Sequence, residues 1–487
     1  MNCQHVLLKG VGGAFFRGRC HLSTDHREAA MPLSRVTRAL FLITACVWGT
    51  ARAQAPALTP DQQLARDIFA ELVGINTTHE HGNTTPAAEA VARRLLAAGF
   101  PAADVQVIGP RDQNKNLVAR FRGTGKHRPV LLLAHLDVVE ALRSDWSLQP
   151  FVLTEKDGFF YGRGSSDIKD MAAIWVAALI RLKKEGFTPD RDIILALTAG
   201  EESGDTPDNG VKWLVQNRRD LIDAAYCING DAGDPYELHG TRTVRNVEAS
   251  EKIYHDLQLE THNPGGHSSL PTPDNAIYRL SAALNRLAAY QFPVDLNDVT
   301  RGYFKALNID TAQALRLAAT SAFDNAQLRT TCVATRLEGG HANNALPQTA
   351  RAVVNCRILP TENPDSIEAT VRRVIADTAV HVTALDTAIL SPPSPLVPEV
   401  LDPIANITKD LWGAIPVVPN METGATDGIY LRNAGMPVYG VSGVFLDQDD
   451  IRAHGRDERI GVREFYEGLE SSYRLVKALA GGAPRGR

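Results

Sequence analysis

The most informative segment of this 487-residue chain is Val130-Leu131-Leu132-Leu133-Ala134-His135-Leu136-Asp137. Its first five residues are continuously apolar, which predicts a strand buried on both faces of a sheet. Two side chains able to bind a metal, His135 and Asp137, follow directly. Because ligands bind at the carboxyl ends of strands in open α/β sheets, this stretch predicts an α/β fold with chemistry at that edge.

Further metal-binding side chains follow other apolar strands or precede a helix. They are Asp167 before a helix at 168–184, Glu201-Glu202 after a strand at 193–198, Asp231 after a strand at 225–229, and His454 in the loop after a strand at 438–441. Amphipathic helices separate these apolar strands. The pattern predicts a mostly parallel sheet with helices on both faces.

From about Val244 the pattern changes to the order β-α-β-β-α-β, which is typical of a ferredoxin-like α+β domain. The predicted elements are a strand at 244–260, a helix at 274–290, strands at 331–338 and 350–358, a helix at 365–377 and a strand at 380–385. Residues 292–330 form an insertion within this segment. The α/β pattern returns after a proline-rich linker at 391–395. We therefore expect a catalytic domain in two parts, 54–243 and 389–487, interrupted by a lid or dimerisation domain at 244–388.

The composition is that of a soluble globular protein, with 44% hydrophobic and 22% charged residues. The net charge of −5 argues against a nucleic-acid partner, which would require a basic surface. It also argues against recruitment to an anionic membrane.

The first 53 residues have the character of an extension and a secretory signal. Met31 opens a segment with Arg35 and Arg38, an apolar run too short to span a bilayer, and Ala51-Arg52-Ala53 as a cleavage site. We expect Met31 to be the true start and the mature chain to begin near Gln54, in the periplasm or outside the cell. After processing, no apolar run reaches spanning length. The alternative is an uncleaved membrane anchor.

The five ligand candidates suit a pair of divalent ions. His135 and Asp231 could hold one ion, Glu202 and His454 the other, and Asp167 could bridge both. Two imidazoles with three carboxylates provide ligation that suits zinc and is acceptable to cobalt or manganese. We therefore expect two Zn²⁺ per chain. Taken alone, each residue has an ordinary explanation, such as a core histidine for His135 or a solvated loop for the glutamates.

Two further acids have predicted roles beside the metals. Glu201 is left over as a carboxylate next to a metal-bound water, which is what a general base requires. Asp137 lies on the same side of its strand as His135, so its carboxylate could accept the other ring N–H of that histidine. Asp427, before a predicted helix, is interpreted as an N-cap.

Several motifs make the resemblance to a known family specific. They are Leu133-Ala134-His135-Leu136-Asp137, Tyr161-Gly162-Arg163-Gly164-Ser165-Ser166-Asp167-Ile168-Lys169, Gly200-Glu201-Glu202-Ser203-Gly204, Gly265-Gly266-His267-Ser268-Ser269, Asn344-Ala345-Leu346-Pro347 and Ala453-His454. With these motifs in this order, the chain resembles the di-zinc family of aminoacylases, glutamate carboxypeptidases, dipeptidases and succinyl-diaminopimelate desuccinylases. The match runs from about residue 62 to 480.

The resemblance implies a role for each matching residue. The five ligand candidates match the family's metal ligands, Glu201 matches its base, and the peptide bond after Asp167 should be cis. His267 matches a lid histidine that stabilises the oxyanion, often in the active site of the partner subunit, which suggests a homodimer through the lid. Asn344 and Arg357 match positions that contact the substrate's carboxylate or carbonyl.

Some assignments keep alternatives. Asp234 competes with Asp231, and Asn343 with Asn344. His267 could be a structural hairpin histidine, and Arg357 could pair with an acid on the sheet. Cys332 and Cys356 fall nearly opposite each other if their strands pair, so they form either a disulfide or two buried thiols.

The expected function is hydrolysis of the amide bond of a small peptide, of dipeptidase or carboxypeptidase type. The chain has Asp231-Ala232-Gly233 where many relatives have glutamate followed by two glycines. This difference favours a dipeptidase but does not settle the substrate. An alternative is deacylation of an N-acyl amino acid. An alternative of another class is a binding protein that holds metal or peptide without turnover.

Overall fold

The computed structural model describes residues 57–204, 206–481 and 483–484. The predicted extension and signal segment, residues 1–53, lies outside the described residues. Within the described ranges, no helix combines the length and the apolar character that crossing a bilayer requires.

The α-helices of the described residues, in chain order, are α1 (Pro60–Gly74), α2 (Thr85–Ala97), α3 (Lys169–Lys184), α4 (Gly210–Asn217), α5 (Arg219–Ile222), α6 (Ala276–Ala289), α7 (Asp298–Ala306), α8 (Thr311–Ala318), α9 (Ala322–Leu328), α10 (Pro364–Ile375), α11 (Pro398–Trp412), α12 (Gly428–Asn433) and α13 (Val462–Ala480). Short 3₁₀ helices span Ala102–Asp104 and Arg143–Asp145.

The strands are β1 (Val105–Arg111), β2 (Asn114–Phe121), β3 (Val130–His135), β4 (Thr154–Lys156), β5 (Phe159–Tyr161), β6 (Phe187–Thr188), β7 (Ile193–Thr198), β8 (Tyr226–Asn229), β9 (Tyr236–Leu238), β10 (Thr241–Glu251), β11 (Ile253–His262), β12 (Gly266–His267), β13 (Thr331–Gly339), β14 (Ala345–Leu346), β15 (Thr349–Ile358), β16 (Val380–Ala384), β17 (Val417–Glu422), β18 (Val438–Gly440), β19 (Leu446–Asp447), β20 (Arg459–Gly461) and β21 (Ala483–Pro484).

The large sheet confirms the predicted α/β class. Its strands follow the order β1-β2-β7-β3-β8-β18-β10-β9-β19, with β17 paired to β10. The centre is parallel, because β3 pairs in parallel with β7 and β8, and β8 with β18. Antiparallel pairs flank this centre, and parallel pairs recur between β10 and β17 and between β9 and β19, so the sheet is mixed with a parallel centre.

Helices cover both faces of the large sheet. On one face α3 packs against α1 and α13, and Trp175 and Phe69 are fully buried in the core there. On the other face α4 and α12 bury Leu214 and Leu431. Because α3 lies between the sheet and two other helices, almost all of its residues are buried, not only the stripe that sequence periodicity indicates.

A small antiparallel sheet, in the order β13-β15-β11-β16, packs against α6 and α10. These elements follow the chain order β-α-β-β-α-β, which confirms the predicted ferredoxin-like arrangement. Its core contains Leu257, Leu280, Val354 and Val371. Because both sheets belong to one compact unit, the domain boundaries at 244 and 388 remain predictions.

The strand predicted at 244–260 is in fact two strands. β10 pairs with β17 and β18 in the large sheet, whereas β11 pairs with β15 and β16 in the small sheet. Lys252 separates them, and its buried ammonium donates a hydrogen bond to the carbonyl of Arg329 (2.7 Å). Local patterning could not place this boundary, because both strands are extended and no glycine or proline interrupts residues 241–262.

Two helical regions went unpredicted. The insertion at 292–330 contains α7, α8 and α9, and α7 packs on β17 of the large sheet. Helix α11 contains Pro403 as its sixth residue, in the second turn. Proline has no N–H there, so α11 lacks the hydrogen bond that would reach the carbonyl of Glu399.

Cys332 and Cys356 form a disulfide between β13 and β15, and they are direct partners in the antiparallel register. Of the two alternatives left open by the sequence, the disulfide is therefore the one found. Cys227 is a buried free thiol.

Candidate active site

Parallel pairing brings the ends of three strands to one edge of the large sheet. His135, the last residue of β3, is in register with Thr198 at the end of β7. Leu133 is in register with Asn229 at the end of β8. Glu201 and Asp231 lie two or three residues beyond these ends, so the register itself carries them to His135.

Asp167 enters the same edge from the turn before α3. The peptide bond between Asp167 and Ile168 is cis, as the resemblance implies. The first residue of α3, Lys169, is held by a hydrogen bond from its N–H to the carbonyl of Gly164 (2.9 Å). The side chain of Asp167 thus projects from a fixed turn towards the ends of the strands.

The five predicted metal ligands, here called the ligand cluster, converge around Asp167. His135 Nε2 lies 3.1 Å from Asp167 Oδ1 and 3.4 Å from Asp231 Oδ1. His454 Nε2 lies 3.0 Å from Asp167 Oδ2 and 3.0 Å from Glu202 Oε2. The two oxygens of Asp167 therefore face two different sets of ligands, as a bridging carboxylate requires. Asp231, rather than its competitor Asp234, is the residue beside His135.

The charges of the ligand cluster perturb its pKa values. Burial lowers the pKa of His135, but the charge of Asp231 and the hydrogen bond to Asp167 outweigh it and raise the pKa well above its usual value. Burial, with the charges of Asp167 and Glu202, raises the pKa of Asp231 to about 6. Hydrogen bonds to Asp167 and Glu202 raise the pKa of His454 to about 10.

These perturbations fit a site for divalent cations. Three carboxylates lie together in a largely buried position, where their like charges repel one another. Cations placed between the nitrogen and oxygen atoms would offset that repulsion. The mixture of two imidazoles and three carboxylates suits borderline divalent ions, so the residues present fit the expected metals.

Glu201 lies next to the ligand cluster. One of its carboxylate oxygens lies within 4.8 Å of ligand atoms of both His135 and Asp231. Burial and the charge of Asp231 raise the pKa of Glu201 well above its usual range. A carboxylate with a raised pKa beside the metal ligands can take up a proton and release it again.

Asp137 contacts His135 differently from the prediction. The ring atom Nδ1 of His135 lies 2.9 Å from the main-chain carbonyl of Asp137, whereas the carboxylate is 3.9 Å away. The carboxylate instead accepts a hydrogen bond from the N–H of Glu202 (3.0 Å). Asp137 therefore orients one histidine through its main chain and the Glu201-Glu202 loop through its side chain.

Other polar residues that sequence reasoning missed hold the loop before Glu201. Asn116 Oδ1 accepts a hydrogen bond from the N–H of Ala199 (3.0 Å). Asn209 Nδ2 donates to the carboxylate of Asp427 (2.6 Å) and lies 3.4 Å from the carbonyl of Gly200. Asp427 precedes α12, but its side chain makes no capping hydrogen bond. Asp427 therefore occupies the N-cap position of α12, as predicted, but its side chain supports the Glu201-Glu202 loop through Asn209 instead of capping the helix.

The predicted residues of the inserted segment lie elsewhere. His267 in β12 and Asn344 beside β14 are neighbours on a two-stranded exposed piece, where His267 Nδ1 lies 2.7 Å from Ser269 Oγ. Arg357 stacks over the ring of Tyr254 (4.7 Å) and donates to Asn355, rather than pairing with an acid. In the described part of the chain, no hydrogen bond or ion pair joins these three residues to the ligand cluster.

Comparison with known proteins agrees with this geometry. The model of Peptidase family M20/M25/M40 matches residues 131–478. The N-fatty-acyl-amino acid synthase/hydrolase PM20D1 of Xenopus tropicalis is 31% identical over 357 residues, covering 68% of this chain and 69% of that protein. The succinyl-diaminopimelate desuccinylase of Dinoroseobacter shibae is 28% identical over 390 residues, covering 77% of this chain and 90% of that protein.

Solved structures agree in fold. The M20 family metallo-carboxypeptidase Sso-CP2 from Sulfolobus solfataricus superposes with a TM-score of 0.66 at 18% identity, covering 85% of this chain and 99% of that chain. This likeness concerns the fold alone.

Proposed function

The chain belongs to peptidase family M20/M25/M40 and is a metal-dependent hydrolase of amide bonds, and we propose that it acts on N-acyl amino acids with Glu201 as the general base. The observation that carries the mechanism is the partly buried Glu201 carboxylate beside His135 and Asp231. Family membership also decides against the alternative of a binding protein without turnover.

The reaction assigns separate tasks to the residues of the site. Divalent ions held by the ligand cluster would polarise the substrate carbonyl and lower the pKa of the attacking water. Glu201, whose pKa burial raises, accepts the proton of that water and donates it to the departing amine. Asp137 and Asn209 hold the loop that carries Glu201, so the base keeps its direction during both transfers.

The substrate class rests on the relatives. The N-fatty-acyl-amino acid synthase/hydrolase and the desuccinylase are named for an acyl group on an amino acid, and both are more similar in sequence than the peptidases of known structure. A dipeptide is the second candidate, because an aspartate at position 231 favours dipeptidases.

A paired assay separates the two candidates. We expect N-acetyl-phenylalanine and N-dodecanoyl-phenylalanine to be cleaved with a higher kcat/KM than alanyl-phenylalanine. Each compound is matched by its C-terminal amide, which lacks the free carboxylate. Faster cleavage of the dipeptide would make dipeptides the favoured substrate class. If neither kind of compound is cleaved, both substrate classes are rejected.

The proposed metals are two Zn²⁺ ions, with Co²⁺ or Mn²⁺ as alternatives. The mixed nitrogen and oxygen donors support zinc but do not distinguish it from the other two. Elemental analysis of protein purified without chelator or added metal tests this proposal, since two equivalents of one metal per chain would identify it.

A homodimer through the small sheet is also proposed, with His267 acting on the partner's substrate. It is supported by the exposed position of His267 and by Val333 and Leu337, which are 59% and 67% exposed on the edge strand β13. Light scattering tests this, with twice the chain mass expected and a single chain mass contradicting it.

Export to the periplasm or the cell exterior is proposed from the signal-like segment at 31–53. The disulfide between Cys332 and Cys356 supports it, because such bonds persist in oxidising compartments. N-terminal sequencing of protein recovered from the periplasm should begin near Gln54. Recovery only from the cytoplasm would contradict export, and recovery in membranes with Met31 retained would indicate an uncleaved anchor.

A further inference from the structure

Glu458 is a fully buried carboxylate four residues after His454, and none of the roles described above uses it. Its two oxygens accept hydrogen bonds from five donors, all within residues 163–167. Oε2 accepts from Arg163 Nη1 (2.6 Å) and the N–H of Gly164 (3.0 Å). Oε1 accepts from the N–H groups of Ser166 (2.7 Å) and Asp167 (3.1 Å) and from Ser166 Oγ (3.1 Å).

These hydrogen bonds join two segments that each contain a predicted metal ligand. Residues 163–167 end at Asp167, and Glu458 belongs to the loop that begins with His454. Arg163 also donates from Nη2 to the carbonyl of Gly455 (3.0 Å), the residue after His454. Beside them, Arg459 pairs with Tyr161 in the β20·β5 ladder. The two segments are thus tied at both ends of the His454 loop.

The tie matters because strand pairing does not place the loop that carries His454. His454 is 56% exposed and has φ of 60°, a left-handed conformation that residues other than glycine adopt rarely. Its loop lies outside the parallel centre of the sheet, so strand register does not place it. The 3.0 Å approach of His454 Nε2 to Asp167 Oδ2 therefore depends on contacts between the loops.

We propose that Glu458 is a positioning residue that fixes His454 relative to the bridging Asp167. It sets the affinity for the ion shared by Asp167, Glu202 and His454, and has less effect on the ion at His135 and Asp231. This inference rests on the proposed metal centre. Since all five partners are donors, the amide of Glu458→Gln would turn an NH₂ group towards donors while keeping the side chain's size.

The test is a zinc titration of the full mature chain after metal depletion, with a chromophoric chelator as competitor. In Glu458→Gln we expect one of the two affinities to fall roughly 10–100-fold, and the other to change by less than about threefold. The affinity that falls should be the one lost in His454→Ala, not the one lost in Asp231→Ala. Ser166→Ala, which removes a single donor at a partly exposed position, should weaken the same affinity to a smaller extent.

Glu248 provides the matched control. Glu248 is equally buried, and its carboxylate pairs with the guanidinium of Arg432 (2.6 Å). The same carboxylate also accepts a hydrogen bond from the N–H of Gly440. Glu248→Gln should lower the melting temperature of the metal-free protein and leave both zinc affinities unchanged.

Each remaining result overturns the inference. Equal weakening of both affinities in Glu458→Gln, or weakening no greater than in Glu248→Gln, would reduce Glu458 to a structural role while the proposed function stands. If Glu458→Gln does not fold, an unchanged affinity in Ser166→Ala has the same meaning. Wild-type protein that binds no zinc would reject the metal centre and this inference together.

Discussion

The ligand cluster and the small sheet are both assigned to one reaction, but they hold their residues in different ways. His135, Glu202 and Asp231 follow the ends of hydrogen-bonded parallel strands, and the cluster closes to distances of 3.0–3.4 Å. His267 and Asn344 lie on an exposed two-stranded piece beyond the small sheet. The first group is preorganised by strand register, whereas the second must be brought to the substrate by movement or by a partner chain.

This difference separates two kinds of function. Residues placed by the large sheet can hold metal and move protons in a single chain. Residues of the inserted segment have no described hydrogen bond or ion pair to the ligand cluster, so they could contribute only through movement or through a partner chain. Substitutions in the first group should change metal binding and chemistry, whereas substitutions in the second should leave the metals in place.

The largest effect is expected for Glu201→Gln. Loss of the general base should lower kcat by about 10³–10⁴-fold with the metals retained, because the proposed role of Glu201 is proton transfer, while the five residues of the ligand cluster hold the metals. Glu202→Gln is the matched neighbour, and should instead lose one metal. Kinetics with elemental analysis measure both. Loss of metal in Glu201→Gln would place Glu201 among the ligands.

His267→Ala should lower kcat by about 10²–10³-fold, because an oxyanion donor acts mainly in the transition state. Its metal content should equal that of the wild type. His262→Ala, also an exposed histidine of the inserted segment, is the control and should be active. Mixing His267→Ala with Glu201→Gln chains should restore activity if His267 acts across a dimer. Full activity of His267→Ala alone would remove it from the mechanism.

Replacing Cys332 and Cys356 together by serine should lower the free energy of unfolding by about 3 kcal/mol, because the disulfide closes a loop with a sequence separation of 24 residues. Chemical denaturation measures the change. Both zinc affinities should be unaffected, since the ligand cluster is built on the other sheet. A parallel loss of zinc affinity would show that the two regions depend on each other.

Arg357→Ala should raise KM for an N-acyl amino acid by about 10–100-fold, because a charge-assisted hydrogen bond to the carboxylate is lost. The matching C-terminal amide should show no change. Arg351→Ala on the same strand, whose guanidinium pairs with Glu260 (2.7 Å), is the control. Equal effects on the acid and the amide would contradict a role in carboxylate binding.

The smallest effect concerns Lys252 at the junction of the two sheets. Burial lowers its pKa to about 7, whereas the unfolded value is about 10.4. Unfolding therefore takes up a proton between about pH 7 and pH 10, and the free energy of unfolding should rise with pH, by about 1 kcal/mol between pH 7 and 8. This rise is the contribution of Lys252, so the rise between pH 7 and 8 should be smaller by about 1 kcal/mol in Lys252→Met than in the wild type, and unchanged in Lys156→Met, where the lysine is exposed. An identical pH profile in Lys252→Met would contradict the assignment.

The sequence predicts the large sheet and the positions of His135, Glu201-Glu202 and Asp231 well because these residues follow strand ends. Once β3, β7 and β8 are recognised as strands, their parallel pairing places His135, Glu201 and Asp231 close to one another. The disulfide was an open alternative for the opposite reason. Its formation depends on β13 and β15 pairing with Cys332 directly opposite Cys356, which periodicity alone does not fix.

Other features escaped the sequence because they depend on tertiary contacts. The break at Lys252 reflects which sheet each strand joins. Asp427 had a plausible local role as an N-cap, yet its carboxylate bonds to Asn209, far away in the chain. Glu458 carries no motif that distinguishes it from a solvated acid. Its role emerges only when residues 163–167 are packed against it.

Anomalous diffraction from zinc-loaded crystals, recorded on both sides of the zinc absorption edge, would locate the metals themselves. We expect two zinc peaks per chain, one against His135 and Asp231 and the other against Glu202 and His454, with one oxygen of Asp167 on each. A single peak, or two peaks without Asp167 between them, would contradict the bridged centre on which the proposed function rests.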